Sequence, residues 1–300
     1  MITDPQSLLV HSQPPDDDGT CLDIGAESAG WEFTGLVIKR IEQGAQVELS
    51  TGRDELCVLL LGGDCSVSVD AEKFRLASRS SIFAGPPSAV YIPIDTSFSI
   101  TANSASEIAF CASRAEERFP VRYIGPDDVA IEIRGAGNAA RQINHIIKSD
   151  FPAHRLLVVE VYTPSGNWSS YPPHKHDVSR MPEEADLEEI YYYRIEPDDG
   201  FAFQRLYTAD GSTDQPYIVR DGDALIMPEG YHAYAVAHGY TGYYLNILAG
   251  DESVRTMQPY DDPTYGWIRG TWSDEMNEGL ATWQDINRRI NGDAGNPGTH

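Results

Sequence analysis

The chain has 300 residues, enough for one large or two medium domains, and its 46 acidic against 22 basic side chains give a formal net charge of −24. That balance argues against nucleic acid and anionic membrane surfaces as partners, because phosphate binding draws on an excess of Lys and Arg. An anionic substrate would meet an opposing field, so local cations or a metal would have to draw it in.

No apolar run reaches the roughly 18 residues of a membrane span. The start, Met1 to Pro5, lacks the basic and apolar stretches of a signal peptide. Cys21, Cys57, Cys65 and Cys111 form no Cys-x-x-Cys pair, and Cys57 and Cys65 sit in apolar or alternating runs that suit reduced, buried thiols. These features together point to the cytoplasm.

Residues 1–25 are polar, with Pro14, Pro15 and the run Asp16 to Gly19, and read as a mobile arm or a loose edge segment. From Trp31 onward the pattern is short and β-like, with strands predicted at 34–38, 46–49, 55–61, 65–69, 81–83 and 89–92. A mixed segment follows, containing Arg134-Gly-Ala-Gly-Asn-Ala-Ala-Arg141. Its Gly-x-Gly lacks the rest of a dinucleotide fingerprint and is not read as a phosphate loop.

The second half repeats the style of the first, with strands predicted at 155–162, 189–195, 201–207, 217–219, 224–227, 233–237 and 243–248. Short strands at this spacing predict a mostly β protein of antiparallel barrels rather than an α/β sheet. The stretch Ser81 to Pro93 echoes Asp221 to His232, each a strand with a Pro-bearing turn, which divides the chain into barrels at 26–125 and 126–270. Residues 271–300 complete it with a short amphipathic helix near 273–290 and a Gly/Pro tail, the helix packing on a barrel or on a second copy in a homodimer.

The densest chemical signal is Asn167-Trp-Ser-Ser-Tyr-Pro-Pro-His174-Lys-His176. On a strand, residues i and i+2 share a face, so His174 and His176 aim at one point, as ligands to a metal do. A strand and tight turn from Gly222 through Pro228 and Gly230 delivers a third imidazole, His232. His154 and His238 read as structural or solvated. The first barrel, with no His between His11 and His145, cannot assemble several imidazoles. A carboxylate usually completes such a set. Glu189, which opens Glu189-Ile-Tyr-Tyr-Tyr193 and shares a face with Tyr191 and Tyr193, is preferred, with Glu188 a one-residue register shift away.

The His-x-His, the glutamate heading a strand and the Gly222-x5-Pro228-x-Gly230-x-His232 turn resemble the two cupin motifs. The longer words Trp168 to Asp177, Leu187-Glu-Glu-Ile-Tyr-Tyr, Gly200 to Thr208 and Tyr243 to Gly250 resemble the 5-deoxy-glucuronate isomerase family of bacterial myo-inositol catabolism. The likeness runs from about Gly30 to Arg269 and includes Arg79-Ser-Ser-Ile-Phe and Tyr91-Ile-Pro. It departs from the general cupin pattern where twelve residues separate His176 from Glu189, so an insertion must loop out. The resemblance implies two tandem cupin barrels, the first degenerate and without metal ligands. It also implies conversion of 5-deoxy-D-glucuronate into 2-deoxy-5-keto-D-gluconate.

Such a reaction moves a hydrogen between neighbouring carbons, most simply through an enediol. A divalent metal on His174, His176, Glu189 and His232 would stabilise the developing negative oxygen as a Lewis acid. Imidazole and carboxylate ligation tolerates Zn, Mn, Fe, Ni or Co. For the general base the sequence offers Glu188, with Tyr171, Tyr191 or Lys175 as relays. For the substrate's carboxylate it offers Arg205, which shares its strand face with Phe201, Phe203 and Tyr207, with Gln204 as the alternative polar contact and Tyr191 and Tyr207 as further expected substrate contacts. An Fe(II) dioxygenase and a non-catalytic sugar-acid-binding protein are the competing readings.

Overall fold

A computed structural model describes residues 5–251 and 254–292. The Gly/Pro tail expected beyond the terminal helix lies outside the described residues. Two antiparallel sheets form each half, and the halves share a core.

The run Asp54–Gly62 shows why the sequence folds this way. Cys57, Leu59 and Leu61 belong to one apolar cluster and Val58 and Leu60 to another, so both faces of the strand are buried. A strand apolar on both faces must sit in the middle of a stack rather than against water. It lies in a six-stranded sheet ordered Arg122–Ile124, Ala89–Ile92, Asp54–Gly62, Ser106–Arg114, Thr34–Ile41, Thr20–Ile24. One face of this sheet closes a barrel with the four-stranded sheet Gln46–Ser50, Ser97–Ala102, Cys65–Val69, Glu72–Arg75. The other face packs on the second half.

The second half uses a seven-stranded sheet ordered Leu9–His11, Asp223–Met227, Glu188–Glu196, Thr241–Ala249, Leu157–Thr163, Arg141–Ile147, Ala130–Arg134. Facing it is a five-stranded sheet, Asp214–Val219, Ala202–Tyr207, Tyr231–Val236, Trp168–Lys175, Tyr260–Asp261. In the seven-stranded sheet Val158, Glu160 and Tyr162 look toward the first barrel, while Val159 and Val161 look into the second. Residues that alternate in this way let one sheet serve as barrel wall and as inter-barrel interface.

Three expectations change. Residues 9–11 are an edge strand on the second barrel, paired with 223–225, and residues 20–24 are an edge strand of the first, so of the two readings of this stretch the mobile arm gives way to the edge segment. The short polar turn around Pro14 to Gly19 masks two strands too brief to show a period. Residues 82–84 are a 3-10 turn rather than a strand, because Ser81 caps the N–H of Phe83 and Gly85 ends the turn. The terminal α-helix is only Trp283–Asn291, capped by Thr282 and Asp285, with 3-10 turns before it. Trp283 anchors it to the shared core, where its ring stacks on Tyr162 at 6.4 Å, and Ile286 is buried on the same helix. No helix among the described residues is long and apolar enough to cross a membrane.

Candidate metal centre and substrate cavity

The strand Trp168–Lys175 pairs regularly as far as Ser169, opposite Tyr234, and resumes at His174, opposite His232. Residues 170–173 therefore face Ala233 alone and form a bulge. Pro172 and Pro173 have no N–H to give a ladder, and Ser170 turns the chain at φ 48°. The bulge resets the register so that His174 lies across from His232, with ring centroids 4.6 Å apart. His176, on the same side, stands 5.5 Å from His174 and 6.2 Å from His232. Gly230 makes the turn before His232 possible. At φ 104°, a Cβ there would lie 2.8 Å from the Tyr207 carbonyl oxygen.

The facing sheet supplies the carboxylate. Glu189 Oε2 lies 3.3 Å from His232 Nε2, and the Asn246 amide donates to Glu189 Oε1 at 2.9 Å. Tyr191, two residues on, brings its hydroxyl 2.7 Å from Ser170 Oγ and 3.3 Å from His232 Nε2.

Burial sets the electrostatics. Desolvation lowers His174 well below the usual imidazole range, His176 to about 4 and His232 to about 3, with neighbouring imidazoles adding to the shift of His174 and His232. Desolvation also raises Glu189 to about 8. Burial thus pushes both members of the His232–Glu189 contact toward their neutral forms, so the contact is not held as an ion pair. Neutral imidazoles offer lone pairs, and a divalent charge beside Glu189 would displace its proton.

Among the described residues no three His, Cys, Asp or Glu side chains already gather their donor atoms around one ion position. The convergence expected from sequence is of side chains rather than of donor atoms. Ring packs on ring, His174 Nδ1 lies 3.3 Å from the Pro172 carbonyl, and His232 turns to Glu189. The donor set nevertheless fits a divalent cation, being three neutral imidazoles and a carboxylate, with His176 Nδ1 buried and without a hydrogen-bond partner.

A cavity of about 330 Å³ opens over the cluster. Its walls follow strand alternation, with Arg141, Ile143 and His145 from one strand, Val159 and Val161 from the next, and Tyr244, Asn246 and Leu248 from a third. His145 Nε2 is held 2.9 Å from Glu132 Oε2.

The sequence profile of the KduI/IolB family matches residues 8–268. The chain belongs to the KduI/IolB family. Among its relatives, a 5-deoxy-glucuronate isomerase of Geobacillus kaustophilus is 40% identical over 263 residues, 87% of this chain and 95% of that protein. The 5-deoxy-glucuronate isomerase of Bacillus subtilis strain 168 is 44% identical over 219 residues, 72% of this chain and 80% of that protein. The crystal structure of an IolB-like protein from Salmonella typhimurium superposes with a TM-score of 0.83 at 36% identity, covering 87% of this chain and 98% of that one. An oxalate decarboxylase from Lactobacillus farciminis, at 12% identity and TM-score 0.62 over 94% of this chain and 96% of that one, shares the cupin fold.

Several residues expected at the site of this KduI/IolB chain lie elsewhere. Glu188 points to the opposite face from Glu189 and accepts from the backbone N–H groups of Glu32, Phe33 and Thr34 at 2.7, 2.9 and 2.7 Å. Lys175, between the two histidines, faces away and binds Glu184 at 2.5 Å and Asp177 at 3.2 Å. That anchors the 177–187 insertion, in which buried Glu184 also accepts from Arg180 and from the N–H of Asp177. Tyr171 packs on Trp168 in the bulge, and its side chain does not line the cavity.

Of the expected substrate contacts only Tyr191 lines the cavity. Tyr207 donates to Asp262 at 2.6 Å, and Gln204 accepts from the Tyr193 hydroxyl. Arg205 sits on the barrel's outer face, forked onto Asp214 at 2.8 Å through Nε and Nη2 and stacked 4.0 Å over Tyr207. Aromatic company misled the sequence reading here, because Phe201 and Phe203 are themselves exposed on that outer face. The residues missed were Arg141, His145, Ser170 and Asn246. The signal for Arg141 was present in the glycine-rich word Arg134 to Arg141.

Proposed function

We propose that this protein is an aldose–ketose isomerase that converts 5-deoxy-D-glucuronate into 2-deoxy-5-keto-D-gluconate in myo-inositol breakdown in the cytoplasm. The observation that carries this reading is a three-imidazole, one-carboxylate cluster of which His174, His176 and Glu189 line a cavity and His232 packs behind them, in a chain whose relatives bear that name. His174, His176, His232 and Glu189 would hold a divalent cation, with Asn246 fixing the carboxylate. Such a cation supplies Lewis acidity toward the carbonyl and neighbouring hydroxyl oxygens of an aldose.

The other groups are assigned from their place in the wall. Desolvation raises the Tyr191 phenol well above its usual range, so it keeps its proton and serves as a donor to substrate oxygen, oriented by Ser170. Outside the cluster His145 is the one cavity-lining imidazole among the described residues, and with Glu132 fixing its ring it is assigned proton transfer between the neighbouring carbons. The apolar wall of Ile143, Val159, Val161 and Leu248 limits water at the reacting carbons.

Purified protein incubated with 5-deoxy-D-glucuronate in D2O and followed by proton NMR should yield the ketose with deuterium incorporated from solvent. A chelator-treated sample should be inert and regain activity with one of Zn, Mn, Fe, Ni or Co. Oxygen uptake without ketose would replace the isomerase with a dioxygenase. Tight sugar-acid binding without turnover would make the protein a binding module.

A further inference from the structure

The cavity wall carries three guanidinium groups, those of Arg134, Arg141 and Arg269, in a chain of net charge −24. Two are neutralised. Arg134 forks onto Glu132 with both bonds at 2.8 Å, and Arg269 is bonded by two nitrogens to Asp261. Arg141, 4% exposed, pairs with no carboxylate among the described residues. We infer that Arg141 is the anchor for the carboxylate of the sugar acid, an assignment that takes only the identity of that acid from the isomerase reading.

The protein contacts of Arg141 stabilise its position without cancelling its charge. Nη1 donates to two backbone carbonyls, Ala139 at 3.1 Å and Tyr171 at 3.3 Å, and the guanidinium lies 5.8 Å from the centre of the Trp272 ring. Neither bond uses Nε or Nη2, the edge that meets a carboxylate in a fork. Burying an uncompensated cation is costly, and a site that keeps one beside two further arginines is organised around an anion supplied from outside. Desolvation lowers Arg141 to about 10, with Arg134 and Arg269 adding to the shift, so the group is charged at neutral pH yet electrostatically unsatisfied.

The backbone is built for this placement. Strands Ala130–Arg134 and Arg141–Ile147 pair so that Arg134 lies directly opposite Arg141 on the cavity face. Gly135 turns between them at φ 78°, where a Cβ would stand 2.7 Å from Arg141 Nη1 and 2.2 Å from the Ala139 oxygen. The glycine-rich word that failed as a phosphate loop is therefore the hairpin that brings this guanidinium into the wall. Because Nη1 also rests on the Tyr171 carbonyl, in the bulge that leads to His174, the anchor and the imidazole cluster share one segment of chain. An aldose acid held by its carboxylate at Arg141 presents its remaining oxygens along the cavity.

The test uses metal-loaded enzyme and two ligands, 5-deoxy-D-glucuronate and its uncharged methyl ester, with calorimetric binding measured beside steady-state kinetics. In Arg141→Met the acid should bind about tenfold to hundredfold more weakly, with KM rising in step, while the ester binds as it does to the natural protein. Arg141→Lys, which keeps the charge and loses the fork, should show a smaller loss for the acid and none for the ester. It also serves if the Met variant does not fold, judged by melting temperature and metal content. Equal losses for acid and ester would assign Arg141 a structural role and overturn the proposal, as would unchanged binding of the acid. Arg141-dependent binding of the acid without turnover would leave the anchor standing and remove the isomerase reading. Turnover with KM indifferent to Arg141 would do the reverse.

Discussion

Glu188 and Glu189 are adjacent, chemically identical, and turned to opposite faces of one strand, which gives them unrelated work. Glu188→Gln weakens charge-assisted bonds to three backbone N–H groups of the first barrel. It should cost about 1–3 kcal/mol in urea unfolding while leaving kcat unchanged. Glu189→Gln should lose bound metal and turnover together with little change in unfolding, since burial already pushes its carboxyl toward the neutral form. Equal loss of kcat in both variants would contradict the separation of faces. Arg205→Ala supplies a second contrast. With its guanidinium forked on Asp214 outside the barrel, KM should match the natural protein, and a severalfold rise would return Arg205 to the site. At this scale alternation was enough to put His174 and His176 on one side, whereas it left Glu189 separated from Glu188 only by a one-residue shift of register. The sequence was illegible at Arg205 because alternation gives two faces without saying which one is wet.

The hairpin of strands Ala130–Arg134 and Arg141–Ile147 behaves as one electrostatic element. Hydrogen bonding to His145 is the chief cause that holds the Glu132 carboxyl down to about 2 against a normal 4.5, with Arg134 contributing. A carboxyl depressed on folding stabilises the native state fully above its unfolded value, and that contribution is lost as pH falls from about 4.5 through about 2. The stability difference between natural protein and Glu132→Gln should therefore be constant near neutrality and shrink toward pH 2, as measured by thermal unfolding across that range. A difference that grew with acid would give Glu132 the wrong sign. Glycines hid this element from sequence reading. Gly135 and Gly137, both at positive φ, break the alternation between two strands that are otherwise apparent in Ile131, Ile133, Ile143 and Ile147. The terminal helix shows a different limit. Its apolar positions were visible, but only the Thr282–Asp285 cap fixes where it begins.

Across the whole molecule, buried and half-buried carboxylates stitch the barrels together. Glu55 of the first barrel accepts from the N–H groups of His154, Arg155 and Leu156, and Glu188 of the second reaches back to 32–34. The sequence showed two barrels but not their seam, because a buried acid and a solvated one look alike in a chain with 46 acidic residues. The deepest stitch is Arg79, bonded to fully buried Glu160 at 2.8 and 3.2 Å, with Tyr162, Tyr243 and Asn144 also on that carboxylate. Arg79→Met would strand the carboxylate beside neutral donors and should cost about 3–5 kcal/mol in urea unfolding. Arg79→Met with Glu160→Leu removes both charges and should recover much of that loss, because an apolar pair of similar bulk carries no desolvation penalty. Below the unfolding transition kcat and KM should stay near natural values in both variants, since Glu160 faces the seam and Val159 and Val161 face the cavity. A double variant no more stable than Arg79→Met alone would mean that the seam depends on the tyrosine and asparagine hydrogen bonds rather than on charge neutralisation.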